Sequence, residues 1–165
     1  MSSVSRWLLH PWLTVRVQIA LGVIFVAASL PKLVDPPSFA QMIYNYRLLP
    51  GPLVNPVALI LPWIELLTGI ALILGIWRRT AAVFIGAMLL VFIIGIGINL
   101  ARNNPVNCGC FDLASADKPR EVLIGEMKTV LLRDVGMLLL VAQILAATQS
   151  KRGSVESSER EEMFT

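Results

Sequence analysis

Charge is scarce in this chain, and the scarcity excludes an ordinary soluble domain. Asp, Glu, Lys and Arg make up 15% of the 165 residues, where a soluble domain of this size carries about a quarter. The charges that occur are clustered between long apolar runs, and 56% of the residues are hydrophobic. This is the composition of a membrane protein built as one compact domain. Histidine is nearly missing: His10 stands alone beside Pro11, so no His/Glu metal spacing exists, and His10 reads as an interfacial residue. No glycine-rich phosphate loop is present. The net charge of +3 makes no case for nucleic acid, because the basic residues flank apolar segments singly or in pairs, as headgroup and topology anchors do.

What is present in quantity is apolar sequence, in four stretches. The first span is expected from about Leu13 to Leu33, close to the roughly 20 residues that cross the hydrocarbon core. Arg6 and Arg16 ahead of a run ending in Ala27-Ala28-Ser29 loosely resemble a cleaved leader. A retained helix is preferred, because the run is long enough to span and three more follow it. Asp35-Pro36-Pro37 ends the helix, and Ser38 is expected to cap a short second one. In it Phe39, Met42, Ile43 and Tyr46 fall on one face, which predicts a short interfacial helix with Tyr44 and Tyr46 at headgroup level. An amphipathic connector without function fits the same pattern.

Pro50, Pro52 and Pro56 mark a turn into the second span, expected over about Val57 to Ile76, where Pro62 kinks the helix or frees a carbonyl that a neighbour must satisfy. Arg78-Arg79 form a very short turn. The third span, about Thr80 to Leu100, carries Gly86, Gly95 and Gly97, which permit close helix approach. A polar loop, Ala101 to Glu121, holds Cys108-Gly109-Cys110, and the fourth span reaches from about Val122 to Thr148. The fold class is therefore an all-α membrane protein, a four-transmembrane-helix bundle with a short interfacial helix between the first two spans. Residues 1–12 form an amino-terminal segment, 13–148 the membrane domain, and 149–165 a polar tail expected to be disordered. Four spans put both termini on one side and the Cys loop on the other; the distribution of Lys and Arg does not decide which side is which.

The only two cysteines of the chain are two residues apart. Their Cα atoms can lie at most about 7 Å apart, and a disulfide prefers about 5.5–6 Å. Closure needs a bend, for which Gly109 is suited, and the small ring is strained and easily reduced. A bridge across so short a loop contributes little stability, so a redox role for Cys108 and Cys110 is favoured over a structural one. Two reduced thiols, or half of a soft-metal site, stay open. Asp112 disfavours a thiolate, whereas Arg102 or Lys118 favours it. Ionisable residues inside spans are functional candidates. Lys32, Glu65, Arg133 and Asp134 all fall in the half of the bundle nearest the Cys loop, with Glu65 about eight residues into its helix. A structural ion-pair network, Glu65 with Lys32 or Arg133, stands beside a catalytic or proton-handling role.

The order of short motifs carries a family resemblance. They are Leu30-Pro31-Lys32-Leu33, Asp35-Pro36, Phe39-Ala40, Tyr46 with Leu48-Leu49-Pro50, and Leu61-Pro62-Trp63-Ile64-Glu65-Leu66. Gly75 with Arg79, Cys108-Gly109-Cys110-Phe111 and Arg133-Asp134 complete the set. In this order the chain, from about Trp12 to Ala147, resembles the methylamine-utilisation protein MauE family, within the wider DoxX-like membrane proteins. The resemblance implies a multi-pass protein of the bacterial plasma membrane, with cytoplasmic termini and a periplasmic Cys loop. It also implies help in maturing the disulfide-rich small subunit of periplasmic methylamine dehydrogenase, beside a thioredoxin-like partner. Asp112 stands where many relatives place Gly. The expected activity is thiol–disulfide exchange by Cys108 and Cys110 with that partner, and electron transfer to or from a membrane quinone is an extension of it. The rival classes are a non-catalytic membrane assembly factor and, last, a small-solute or metal transporter built on Glu65 and Arg133.

Overall fold

The computed structural model describes residues 11–104 and 119–163, which form five helices. These are α1 (Pro11–Val34), α2 (Pro36–Asn45), α3 (Gly51–Leu74), α4 (Arg78–Ala101) and α5 (Arg120–Met163). Four of them contain spans long and apolar enough to cross a bilayer: Trp12–Val34, Gly51–Leu74, Arg78–Ala101 and Arg120–Gln149. At a rise of 1.5 Å per residue the first three cover about 35 Å, enough for a hydrocarbon core of about 30 Å. The outer faces of these helices carry large apolar side chains that are more than half exposed, among them Leu59, Leu67, Val91, Leu132 and Leu139. Water would not tolerate so continuous an apolar surface; lipid chains do. The protein is a multi-pass membrane protein, with four spans among its described residues.

The short helix between the first two spans is present, with its cap one turn earlier than expected. Pro36 and Pro37 occupy its first turn and offer no N–H, so the first free donor is Ser38. The Asp35 side chain accepts that N–H at 3.2 Å, which makes Asp35 the N-cap and Ser38 its donor. These Ser38 contacts, side chain first and then backbone, hold the Asp35 carboxyl below the usual carboxylate range. The apolar stripe of α2 is turned onto α3: Phe39 and Met42 are buried with Ala58, and Ile43, Tyr46 and Leu61 pack around them.

Helix α3 begins at Gly51, six residues before the expected Val57. Pro50 is its N-cap and Pro52 lies in the first turn, where a missing N–H costs nothing. The proline cluster thus starts the helix rather than forming a turn ahead of it. The turn to α4 is Gly75-Ile76-Trp77, not Arg78-Arg79. Gly75 adopts φ 71°, and the bonds from Gly75 N–H to Leu72 O and from Ile76 N–H to Ala71 O make the Schellman closure that this conformation permits. Arg78 and Arg79 are the first residues of α4. The tail expected to be without structure from 149 is helical in backbone through Met163. It is rich in Glu, Lys, Arg and Ser, and extending a helix already formed needs no new nucleus.

The bundle is assembled from two helix pairs, α1 with α3 and α4 with α5, which share the most extensive contacts. In the first pair the backbones touch. A Cβ at Gly22 would lie 2.6 Å from Ile73 Cγ1 and 2.8 Å from Gly69 O, and one at Gly69 would lie 3.0 Å from Gly22 O. Of the glycines singled out in the third span, Gly86 lies close to Val141 and Gly95 close to Leu48, whereas Gly97 faces open space. A core of Leu21, Phe25, Leu72, Ile85, Leu89 and Ile144 joins the two pairs in the half toward the α3–α4 turn. Trp12 and Trp77 are largely exposed at that end of the bundle, as interfacial tryptophans are.

Candidate functional site

Helix α1 stops at Val34, short of the end that α3 reaches, and α2 folds over the space this leaves. Lys32, in the last turn of α1, is enclosed there. Its Nζ donates to both carboxylate oxygens of Glu65, each at 2.7 Å. The two residues are 3% and 2% exposed, so the pair is shut off from solvent. The Phe39 ring of α2 and the Phe92 ring of α4 lie with centroids 5.2 and 5.3 Å from the same nitrogen. Both are within cation–π range, which matters most where the cation has lost its water. Glu65 sits fourteen residues after Gly51, about 21 Å along the helix, deeper than a helix starting at Val57 would place it.

Asp134 of α5 is buried as well, and its Oδ1 accepts from Arg133 Nη2 at 3.2 Å and Nε at 3.3 Å. Of the four residues singled out in the sequence, Lys32 is brought to Glu65 and Arg133 to Asp134. The partners are now distinguished: Glu65 takes Lys32, and Arg133 takes its own neighbour. A carboxylate removed from water must be compensated by a charge or by hydrogen bonds, and this arrangement compensates both carboxylates.

Cys108 and Cys110 lie outside the described residues, as do His10 and Lys118. Residues flanking the Cys segment are held by side-chain hydrogen bonds. Asn104 Nδ2 donates to Asn45 O at 3.3 Å and to Asn99 Oδ1 at 2.9 Å. Asn99 Nδ2 donates to Tyr46 O at 3.1 Å and to Gly95 O at 3.0 Å. Beyond the Cys segment, Arg120 Nη2 reaches back to Asn103 O at 3.1 Å. Between these anchors lies a groove of about 160 Å³, lined by Asn99, Leu100, Asn103, Asn104, Ile124 and Met127 with Lys128. Tyr46 is not at a free surface: it packs against both Phe39 and the Ile96–Met127 cluster.

Asn99 is fully buried and was not singled out from the sequence, where attention went to ionisable groups. Its signal was an amide isolated among Gly97, Ile98 and Leu100 in an apolar span, which has to find partners inside the protein. Gln18 gives the same signal at the opposite end, where its amide donates to Leu72 O.

The family model described as Methylamine utilisation protein MauE matches residues 10–147. Similar proteins include the methylamine utilization protein MauE of Methylorubrum extorquens, 33% identical over 141 residues, which are 85% of this chain and 76% of that protein. The protein of the same name from Methylophilus methylotrophus is 36% identical over 61% of this chain and 53% of its own length. For that of Paracoccus denitrificans the figures are 36%, 65% and 58%. The match thus spans little more than half the length of these last two relatives. No solved structure matches the chain. The match covers the first three spans and all but the last two residues of the fourth, with Lys32, Glu65, Arg133, Asp134 and the Cys-Gly-Cys run, and it shows that the chain belongs to the MauE family.

Proposed function

We propose that this protein serves methylamine utilisation as a membrane thiol–disulfide component. Its task is to mature a disulfide-rich periplasmic redox enzyme such as the small subunit of methylamine dehydrogenase. In this reading it lies in the bacterial inner membrane with cytoplasmic termini and a periplasmic Cys segment. The observation that carries the reading is the placement of the chain's only two cysteines, Cys108 and Cys110, two residues apart in the link between α4 and α5. The names of the relatives support the pathway.

In the exchange step, a client thiolate attacks one sulfur of a Cys108–Cys110 disulfide. That S–S bond breaks, a mixed disulfide forms, and the other cysteine leaves as a thiolate. A second client thiolate then displaces the first cysteine. The client loses two electrons and becomes a disulfide, while the pair holds those electrons as two thiols. A thioredoxin-like partner in its disulfide form, or a membrane quinone taking two electrons and two protons, reoxidises the pair. Run backwards, the same steps reduce the client. The charges support this role indirectly: Lys32 is enclosed by Glu65, Phe39 and Phe92, an arrangement that holds helices in place.

The test is complementation of a deletion strain grown on methylamine as the nitrogen source. Cys108→Ser or Cys110→Ser is expected to abolish growth and leave the client's disulfides incomplete, with the variant still present in the membrane. Growth and client maturation equal to the parent's would overturn the redox reading and favour a non-catalytic assembly factor.

A further inference from the structure

We propose that the turn between α3 and α4 binds the headgroup of an anionic phospholipid, through Arg78, Arg79 and the apolar side chains just before them. The site is independent of the cysteines. Leu74, Ile76 and Trp77 are each more than half exposed, and the exposed Arg78 and Arg79 follow directly. The turn is shaped to hold these groups outward. Gly75 closes α3 with φ 71°, and Trp77 has φ 47°, a left-handed conformation uncommon for a bulky residue. Arg78 does not extend away from the turn: its Nε and Nη2 lie 2.9 and 3.0 Å from where a Cβ on Gly75 would be. Its guanidinium therefore rests against the turn, beside the apolar side chains.

Neither guanidinium takes part in a hydrogen bond or ion pair among the described residues, and the first turn of α4 holds no acidic residue. The described carboxylates are elsewhere: Asp35 caps α2, Glu65 and Asp134 are in buried ion pairs, and Glu121 and Glu126 lie in the first two turns of α5. Arg16 adds a third exposed cation. It lies six residues before Gly22, which meets Ile73 near the end of α3, so the antiparallel course of α1 carries it to this end. Positive charge is thus concentrated, without a described counter-charge, at the end of two membrane spans.

Water alone would solvate two arginines, but it would not suit Leu74, Ile76 and Trp77 beside them. A tryptophan at the end of a span marks headgroup level, and guanidinium groups match phosphate oxygens in charge and geometry. The ligand that satisfies both halves of the surface carries a net negative phosphate headgroup and acyl chains. Free phosphate supplies only the first half, and a zwitterionic lipid brings its own cation against the arginines.

The experiment titrates the full-length protein in detergent with phosphatidylglycerol or phosphatidylcholine of identical chains, and counts bound lipid by native mass spectrometry. The parent is expected to hold phosphatidylglycerol about thirtyfold more tightly, each arginine contributing about fivefold. Arg78→Gln/Arg79→Gln is expected to lose the preference. Arg79→Gln alone leaves the Arg78 contact with the turn in place and is expected to lose about fivefold; it decides the matter if the double variant does not fold. Arg102→Gln, at an exposed arginine beyond the other end of α4, is expected to keep the full preference. Excess inorganic phosphate is expected to leave the lipid bound. Equal phosphatidylglycerol binding in the parent and the arginine variants would overturn the proposal, and so would an equal loss in Arg102→Gln. Displacement by inorganic phosphate would identify a site for free anions and overturn the lipid assignment.

Discussion

Replacing Lys32 by Met is expected to destabilise the protein by about 3–5 kcal/mol, the usual consequence of leaving one member of a buried ion pair without its partner. Glu65 is 2% exposed and both its oxygens bond the Lys32 nitrogen, so the variant strands a carboxylate in an apolar seam. Glu65→Leu is expected to cost less. The Lys32 ammonium left behind keeps two aromatic faces. The double variant Lys32→Met/Glu65→Leu is expected to recover most of the loss, because an apolar pair of similar volume carries no desolvation cost. Unfolding in mixed micelles, followed by the tryptophan signal, measures all three. Additive losses in the double variant would contradict a coupled buried pair.

The second large effect is expected at the contact between α1 and α3. Gly22→Ala places a methyl group 2.8 Å from the backbone oxygen of Gly69 and 2.6 Å from Ile73 Cγ1. A flexible side chain could retreat, but a backbone oxygen can do so only if the helices separate. Overpacking of this kind costs about 1–3 kcal/mol. Separation of the pair also disturbs Lys32 and Glu65, which lie farther along the same two helices. Gly97→Ala, with nothing within 4 Å of the new methyl group, is expected to be neutral or to gain up to about 1 kcal/mol from helix propensity. The same unfolding measurement checks both, and equal effects at the two sites would remove the case for a special approach at Gly22.

Much of this architecture is legible in the amino-acid sequence. Four spans follow from apolar runs of the right length, and the broken segment at Asp35-Pro36-Pro37 follows from proline chemistry. The boundaries moved where proline's meaning depends on position: Pro52 reads as a turn signal, yet it sits comfortably in the first turn of α3. The charged residues were identified as one group, but not as pairs. Which of Lys32 or Arg133 faces Glu65 depends on how the two helix pairs meet, and spacing along one chain does not encode that directly. Gly22 and Gly69 lie forty-seven residues apart in sequence, and their contact is likewise a product of packing. Asn99 was readable in principle. A single amide in an apolar span has to be satisfied, and asking where its bonds go leads to the end of α2 and the start of the Cys segment.

A redox cycle at Cys108 and Cys110, between thiol and disulfide while the protein works, is open to thiol trapping in growing cells. Cells on methylamine are quenched in acid, free thiols are blocked, and the pair is read by mass shift with and without prior reduction. Both oxidised and reduced forms are expected in the parent, with one form accumulating when client synthesis is shut off, and a trapped mixed disulfide in Cys110→Ser. Two cysteines that stay fully reduced in every condition, with no mixed disulfide in the variant, would contradict it.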